Sequence, residues 1–206
     1  MKKRQRDDAI TVLSVILLIL AGVAGAILVF HLLTPHHTST PHGLVAMAVR
    51  ESGDSVRLTG DLVGYSSVPR TVSGFYIRPS KTDEKAIGAI QLSISPIIGD
   101  MAIDMDLTRI SVIEKNKETA LTLKKASPLN PGDWAIISRY GYLPFGSAND
   151  DDILHAGETF DLLITLPEPL HPEESFSLVI APAGGVPLHI TKAVPVRVTA
   201  VTTISN

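Results

Sequence analysis

The chain has 206 residues, with 18 Lys and Arg against 21 Asp and Glu, 5% aromatic residues and no Cys. That length suits one main domain, and the lack of Cys excludes a disulfide framework, a thiolate zinc or iron–sulfur site and a cysteine nucleophile. A net charge of -3 argues against a dedicated nucleic-acid binder, which needs a basic face to neutralise phosphates.

Charge is distributed unevenly along the chain. Residues 1–9 form a basic head, with Lys2, Lys3, Arg4 and Arg6 against Asp7 and Asp8. From Ala9 to Leu33 there are 25 residues without Asp, Glu, Lys or Arg, and 20 of them are hydrophobic. Residues 10–33 therefore predict a long hydrophobic helix, and at a rise of roughly 1.5 Å per residue it exceeds a hydrocarbon core of about 30 Å. Residues 34–206 carry 14 Lys and Arg against 19 Asp and Glu, a net of -5, so the expected topology is N-terminus inside and the bulk of the chain outside. A Sec-type cleavable signal fits poorly, because its apolar stretch is shorter and ends at small residues, whereas this run ends on Phe30, His31 and Leu32. Ala21 with Gly25, and Gly22 with Ala26, are small-xxx-small pairs that let helix backbones approach closely. Such pairs suit a filament core, but Gly and Ala are common in plain anchors too, and spacing alone leaves both open.

Residues 34–52 read as a linker and a short helix. Pro35 and Pro41 interrupt the apolar helix. Thr40 can then cap a second helix with Pro41 at its first position, Leu44, Met47, Ala48 and Glu51 at helical spacing, and Gly53 at its close. His31, His36, His37 and His42 could be grouped as a metal cluster, although a polar linker accounts for them equally simply.

Beyond Gly53 the apolar period becomes two. Val56 and Leu58; Ile90, Leu92 and Ile94; Phe160, Leu162, Ile164 and Leu166; Phe176, Leu178 and Ile180; and Val194, Val196 and Val198 each alternate with small or polar neighbours, as in strands with one buried face. Gly and Pro residues separate these runs, including Gly60, Gly64, Pro79, Pro96, Pro131-Gly132, Pro167, Pro182, Gly184-Gly185 and Pro187. Residues 53–206 thus predict an Ig-like antiparallel β-sandwich with Phe160 and Phe176 in its core, and the whole chain predicts an α+β protein.

Several stretches resemble the archaellins, the archaeal flagellins. They are Gly60-Asp61-Leu62-Val63-Gly64, Val72 to Ile77, an acidic-apolar strand region through Asp104-Met105-Asp106-Leu107, and Asp152-Ile153-Leu154-His155-Ala156-Gly157-Glu158. The most specific is the close, Phe176-Ser177-Leu178-Val179-Ile180-Ala181-Pro182-Ala183-Gly184-Gly185-Val186-Pro187-Leu188, followed by Val194-Pro195-Val196. The resemblance covers residues 53–206. It implies a structural filament subunit on the archaeal cell surface, assembled through the N-terminal helix for swimming motility, with a precursor inserted in the membrane. It also implies that residues 1–9 are a leader removed by a prepilin-type signal peptidase between Ala9 and Ile10, although Val12 and Ser14 stand where many members carry Gly and Glu. The competing function class is a membrane-anchored archaellum stator or surface-layer-binding accessory protein, whose helix would stay in the bilayer while the sandwich alone works.

Other chemistry is sparse. Asp100, Asp104 and Asp106, or Asp150-Asp151-Asp152 with Asp161, are the acids that could offer oxygen ligands to a structural Ca²⁺. Neither set has EF-hand spacing, and acidic turns on a surface β-domain ordinarily face solvent. No Gly-x-Ser-x-Gly elbow, His-Glu-x-x-His helix or Gly-rich phosphate loop is present, so neither an enzyme nor a cofactor is expected. Trp134, Tyr140, Tyr142 and Phe145 are expected to close one end of the sandwich core rather than to form a binding loop.

Overall fold

The structure is a computed structural model that describes residues 55–97, 102–141 and 151–205. Its strands, in chain order, are β1 (Val56–Leu58), β2 (Leu62–Ser67), β3 (Arg70–Val72), β4 (Phe75–Ile77), β5 (Asp83–Pro96), β6 (Ile103–Asp104), β7 (Arg109–Glu114), β8 (Lys117–Ala120), β9 (Thr122–Leu123), β10 (Asp133–Gly141), β11 (Ile153–Leu154), β12 (Glu158–Leu170), β13 (Ser175–Ala181), β14 (Leu188–Ala193) and β15 (Val201–Ile204).

A seven-stranded sheet in the order β15-β2-β5-β12-β10-β9, with β1 also paired to β5, faces a four-stranded sheet in the order β14-β13-β7-β8. The alternating runs explain why. Phe160 pairs with Ile94, Leu162 with Leu92 and Ile164 with Ile90 across β12 and β5. In the smaller sheet Leu178 pairs with Val112 and Ile190, and Ile180 with Ile110. These side chains, together with Leu62, Trp134, Phe176 and Ile204, form one buried apolar cluster between the sheets. Burying a side chain of this kind contributes about 1.5–3 kcal/mol, which is what drives two half-apolar sheets together.

The large sheet is also covered on part of its other face. Ile77 of β4, Leu129, Ala89, Ala135 and Leu163 form a second buried cluster, flanked by Tyr65, Val72 and Phe75. The cover is the hairpin of β3 and β4, whose two-residue turn has Ser73 at φ 47° and Gly74 at φ 85°. Two successive positive φ values define a type I′ turn, and Gly74 takes its value without steric cost. The β7–β8 hairpin uses the same device with Lys115 and Asn116, at φ 50° and 65°.

The expected α+β class is corrected: the described residues are all β, apart from one 3-10 turn at Met105–Leu107. A two-residue period punctuated by Gly and Pro every few positions leaves no stretch there that could present a helical stripe. The long hydrophobic helix of residues 10–33 and the short helix after Pro41 lie outside the described residues. Among the described residues no helix is long and apolar enough to cross a membrane.

Two local expectations change as well. The stretch Asp104-Met105-Asp106-Leu107 is not strand throughout: Asp104 ends β6 and caps the 3-10 turn, its carboxylate accepting the Asp106 N–H at 2.9 Å. Val194, Val196 and Val198 do not form a strand either, since Pro195 lacks the N–H a ladder needs. Val194 is buried, Val198 only partly, and Val196 faces solvent.

Candidate functional site

The sequence-derived site residues divide by position. The processing residues Ala9 and Ile10, the packing residues Ala21, Gly22, Gly25 and Ala26, the four N-terminal His residues, and Asp100, Asp150, Tyr142 and Phe145 all lie outside the described residues. Of the aromatic group, Trp134 is buried in the core as expected, while Tyr140 reaches the surface.

The acidic residues that remain are tied to cations and backbone groups. Lys125 Nζ lies 2.7 Å from both Asp106 Oδ1 and Asp152 Oδ2. Arg139, on β10, pairs with Asp152 Oδ1, donates from Nε to the Asp151 carbonyl at 2.9 Å, and lies over the Phe160 ring at 5.5 Å. Met105 N–H donates to the Asp152 carbonyl at 2.9 Å, which ties the 3-10 turn to the same knot. Burial pushes the Asp152 carboxyl up, but hydrogen bonds and charge from Lys125 and Arg139 more than offset this and hold it below its usual value. The same pairing raises Lys125 to about 12, chiefly through its hydrogen bonds to Asp106 and Asp152. Two carboxylates and two cations thus neutralise each other, clasping the turn and β11 to β9 and β10.

Asp161 belongs to a different group. On the partly covered face of the large sheet it accepts from Ser93 Oγ at 2.5 Å and from Gln91 Nε2 at 3.3 Å, and Tyr65 donates to Gln91 Oε1 at 2.6 Å. Tyr140 also hydrogen-bonds to Asp161, and burial first, then that bond and the carboxylate charge, push its hydroxyl up to about 12. Ser95 and Thr159 hydroxyls meet at 2.7 Å on the same face. Among the described residues no group of three or more His, Asp or Glu is placed to hold a metal ion. No local sequence signal marks Lys125 or Arg139, since their partners are brought close only by the fold.

Large apolar side chains stand exposed at Ile97 and Val186 beside the start of β1, at Leu107 on the 3-10 turn, and at Val196 and Val201 around the β14–β15 connection. The described residues thus form an all-β sandwich whose clasped acids are neutralised by cations and which leaves several large apolar side chains in solvent.

The archaeal-type flagellin family model matches residues 44–192. The chain belongs to the archaeal-type flagellin family, and as a flagellin it is a structural subunit of a filament. Its fold is similar to that of flagellin FlaB1 from Methanocaldococcus jannaschii, with a TM-score of 0.51 and 13% identity over 72% of this chain and 95% of that one. It is also similar to the archaeal flagellum of Methanospirillum hungatei strain JF1, with a TM-score of 0.51 and 16% identity over 94% of this chain and 97% of that one. No curated protein matches the sequence.

Proposed function

We propose that the chain is an archaellum filament subunit at the archaeal cell surface, made as a membrane-held precursor and assembled through the apolar segment of residues 10–33. The observation that carries this reading is family membership over residues 44–192, joined to a 25-residue run without a charged side chain ahead of it. In this reading a prepilin-type peptidase cuts between Ala9 and Ile10. Removing the head frees the apolar segment to leave the bilayer for an apolar bundle, since charged residues suit apolar surroundings poorly: an Asp or Lys costs about 2.5–3.5 kcal/mol at the centre of a membrane helix on insertion scales. Ala21, Gly22, Gly25 and Ala26 then let neighbouring backbones approach closely. The sandwich forms the outer part of the filament, which a membrane motor turns for swimming.

Mass spectrometry of sheared surface filaments tests the processing step: mature chains starting at Ile10 support it, and chains starting at Met1 or Lys2 overturn it. Replacing Gly22 and Gly25 together by Leu should abolish filaments while leaving membrane insertion intact, since added apolar bulk does not impair partitioning into lipid. Normal filaments from that double variant would remove the packing role.

A further inference from the structure

Residues 1–54 precede the first described residue, and the chain arriving from them enters the sandwich at a shallow depression of about 320 Å³. Among the described residues the depression is lined by Ser55, Val56, Ile97, Val186, Pro187, Leu188 and His189. Ser55 is therefore both the first link of the sandwich and part of the rim. It also frames the depression: the Val186 N–H donates to its Oγ at 3.0 Å and the Ile97 N–H to its carbonyl at 2.9 Å. Apart from Ser55 and His189 this described lining is apolar, and Ile97 and Val186 stand 54% and 48% exposed. Apolar side chains fixed in water by a hydrogen-bonded frame favour an apolar cover.

The chain on its way to Ser55 supplies one. In Ala46-Met47-Ala48-Val49-Arg50-Glu51-Ser52, helical spacing puts Met47, Ala48 and Glu51 on one face, apolar at first and acidic at its end. Gly53 can end such a helix in the left-handed conformation that turns the chain back. Gly53 and Asp54 together span at most about 7 Å, at roughly 3.3–3.6 Å per residue, so this face stays beside the rim. A segment tethered so closely meets the depression at an effective concentration that a separate molecule does not match. The flagellin match begins at residue 44, ahead of β1, so the unit shared with the family includes this segment. The two sides also suit each other chemically. A flexible Met fills an irregular apolar hollow, and His189 offers an imidazole N–H to the Glu51 carboxylate whether neutral or charged.

We propose that residues 46–52 fold back on the sandwich as a helix, seating Met47 against Ile97 and Val186 with Glu51 toward His189. The outer domain then begins at residue 46 rather than at Ser55, and the segment turns with the sandwich instead of swivelling ahead of it. The contact lies within one chain and does not depend on the filament reading.

The chain has no Cys, so Met47→Cys with Val186→Cys gives the full-length protein a single pair of thiols. A disulfide needs Cα atoms about 4.4–6.8 Å apart. Mild oxidation of the dilute protein in detergent should close it within one chain: the product stays monomeric, loses both thiols and runs faster on a non-reducing denaturing gel, while each single variant keeps its thiol. Disulfide-linked dimers from the pair would assign the depression to a second copy, and a folded double variant that keeps both thiols would show that the two residues do not meet; either overturns the proposal. If the double variant does not fold, exchange of the frame decides. Met47→Asp alone should speed deuterium exchange of the Val186 and Ile97 amides several-fold and leave those of the buried Leu162 and Leu178 unchanged. Unaltered exchange at Val186 and Ile97 would overturn the docking.

Discussion

The two faces of the large sheet are made from the same two strands and are stabilised by different means. Toward the four-stranded sheet, β5 and β12 present Ile90, Leu92 and Ile94 against Ile164, Leu162 and Phe160, apolar at every position. On the opposite face the pairs run from Ala89 with Thr165, through Gln91 with Leu163, to Ser93 with Asp161. Yet β12 is buried on both faces from Glu158 to Leu166. The inner face is stabilised by apolar area, which tolerates any neighbour of similar volume. On the outer face the polar groups Gln91, Ser93, Ser95, Thr159 and Asp161 satisfy one another, while the buried Thr165 hydroxyl has no hydrogen-bond partner among the described residues. Each such bond adds only about 0.5–1.5 kcal/mol net, but an orphaned partner costs about 1–3 kcal/mol, so these groups penalise any slipped register.

The largest test of this contrast is on the inner face. Phe160→Ala and Phe176→Ala should each cost about 3–5 kcal/mol in denaturant unfolding, since both rings are fully buried and the surroundings cannot collapse into the space. Next comes the register shift where β2 pairs with β5, at which a Cβ on Gly88 would stand 2.6 Å from the Ser67 Cα. Gly88→Val should cost about 1–3 kcal/mol through overpacking, because backbone rather than a flexible side chain must give way.

On the outer face, Asp161→Asn should cost about 1–3 kcal/mol by leaving Ser93, Gln91 or Tyr140 mismatched. It should also bring the Tyr140 hydroxyl down from about 12 toward its ordinary 10.0, read by NMR or ultraviolet titration. The folded value is raised, so the associated stability is complete below the ordinary value and is lost as pH rises through about 12.

Glu114 supplies the smallest test, with the opposite sign. Its Oε1 is buried without a hydrogen-bond partner among the described residues. Burial, reinforced by the charges of Glu174 and Glu168, pushes its carboxyl above the usual 4.5. A raised acid favours the folded state while protonated, and that contribution is lost as pH rises through the folded value. Glu114→Gln should therefore raise the unfolding midpoint at pH 7, and the gain should vanish below pH 4.5. Equal stabilities at neutral pH would show that the carboxylate is solvated.

By itself the sequence determined the sandwich's apolar layer. Phe160, Leu162, Ile164, Phe176, Leu178 and Ile180 were legible because a strand's two-residue period is a local property, written into consecutive positions. The same property misled at Val194 to Val198, where one proline cancels the ladder, and around Met105, where an Asp cap outweighs the alternation. The tertiary structure alone decided the polar face, the clasp of Lys125 and Arg139, and the hydrogen bond from Val186 to Ser55. Those contacts join Gln91 to Asp161 across 70 positions and Ser55 to Val186 across 131. A charge or a hydroxyl carries no period that names its partner, so only the fold, once the apolar layer has set the register, brings such groups within reach of each other.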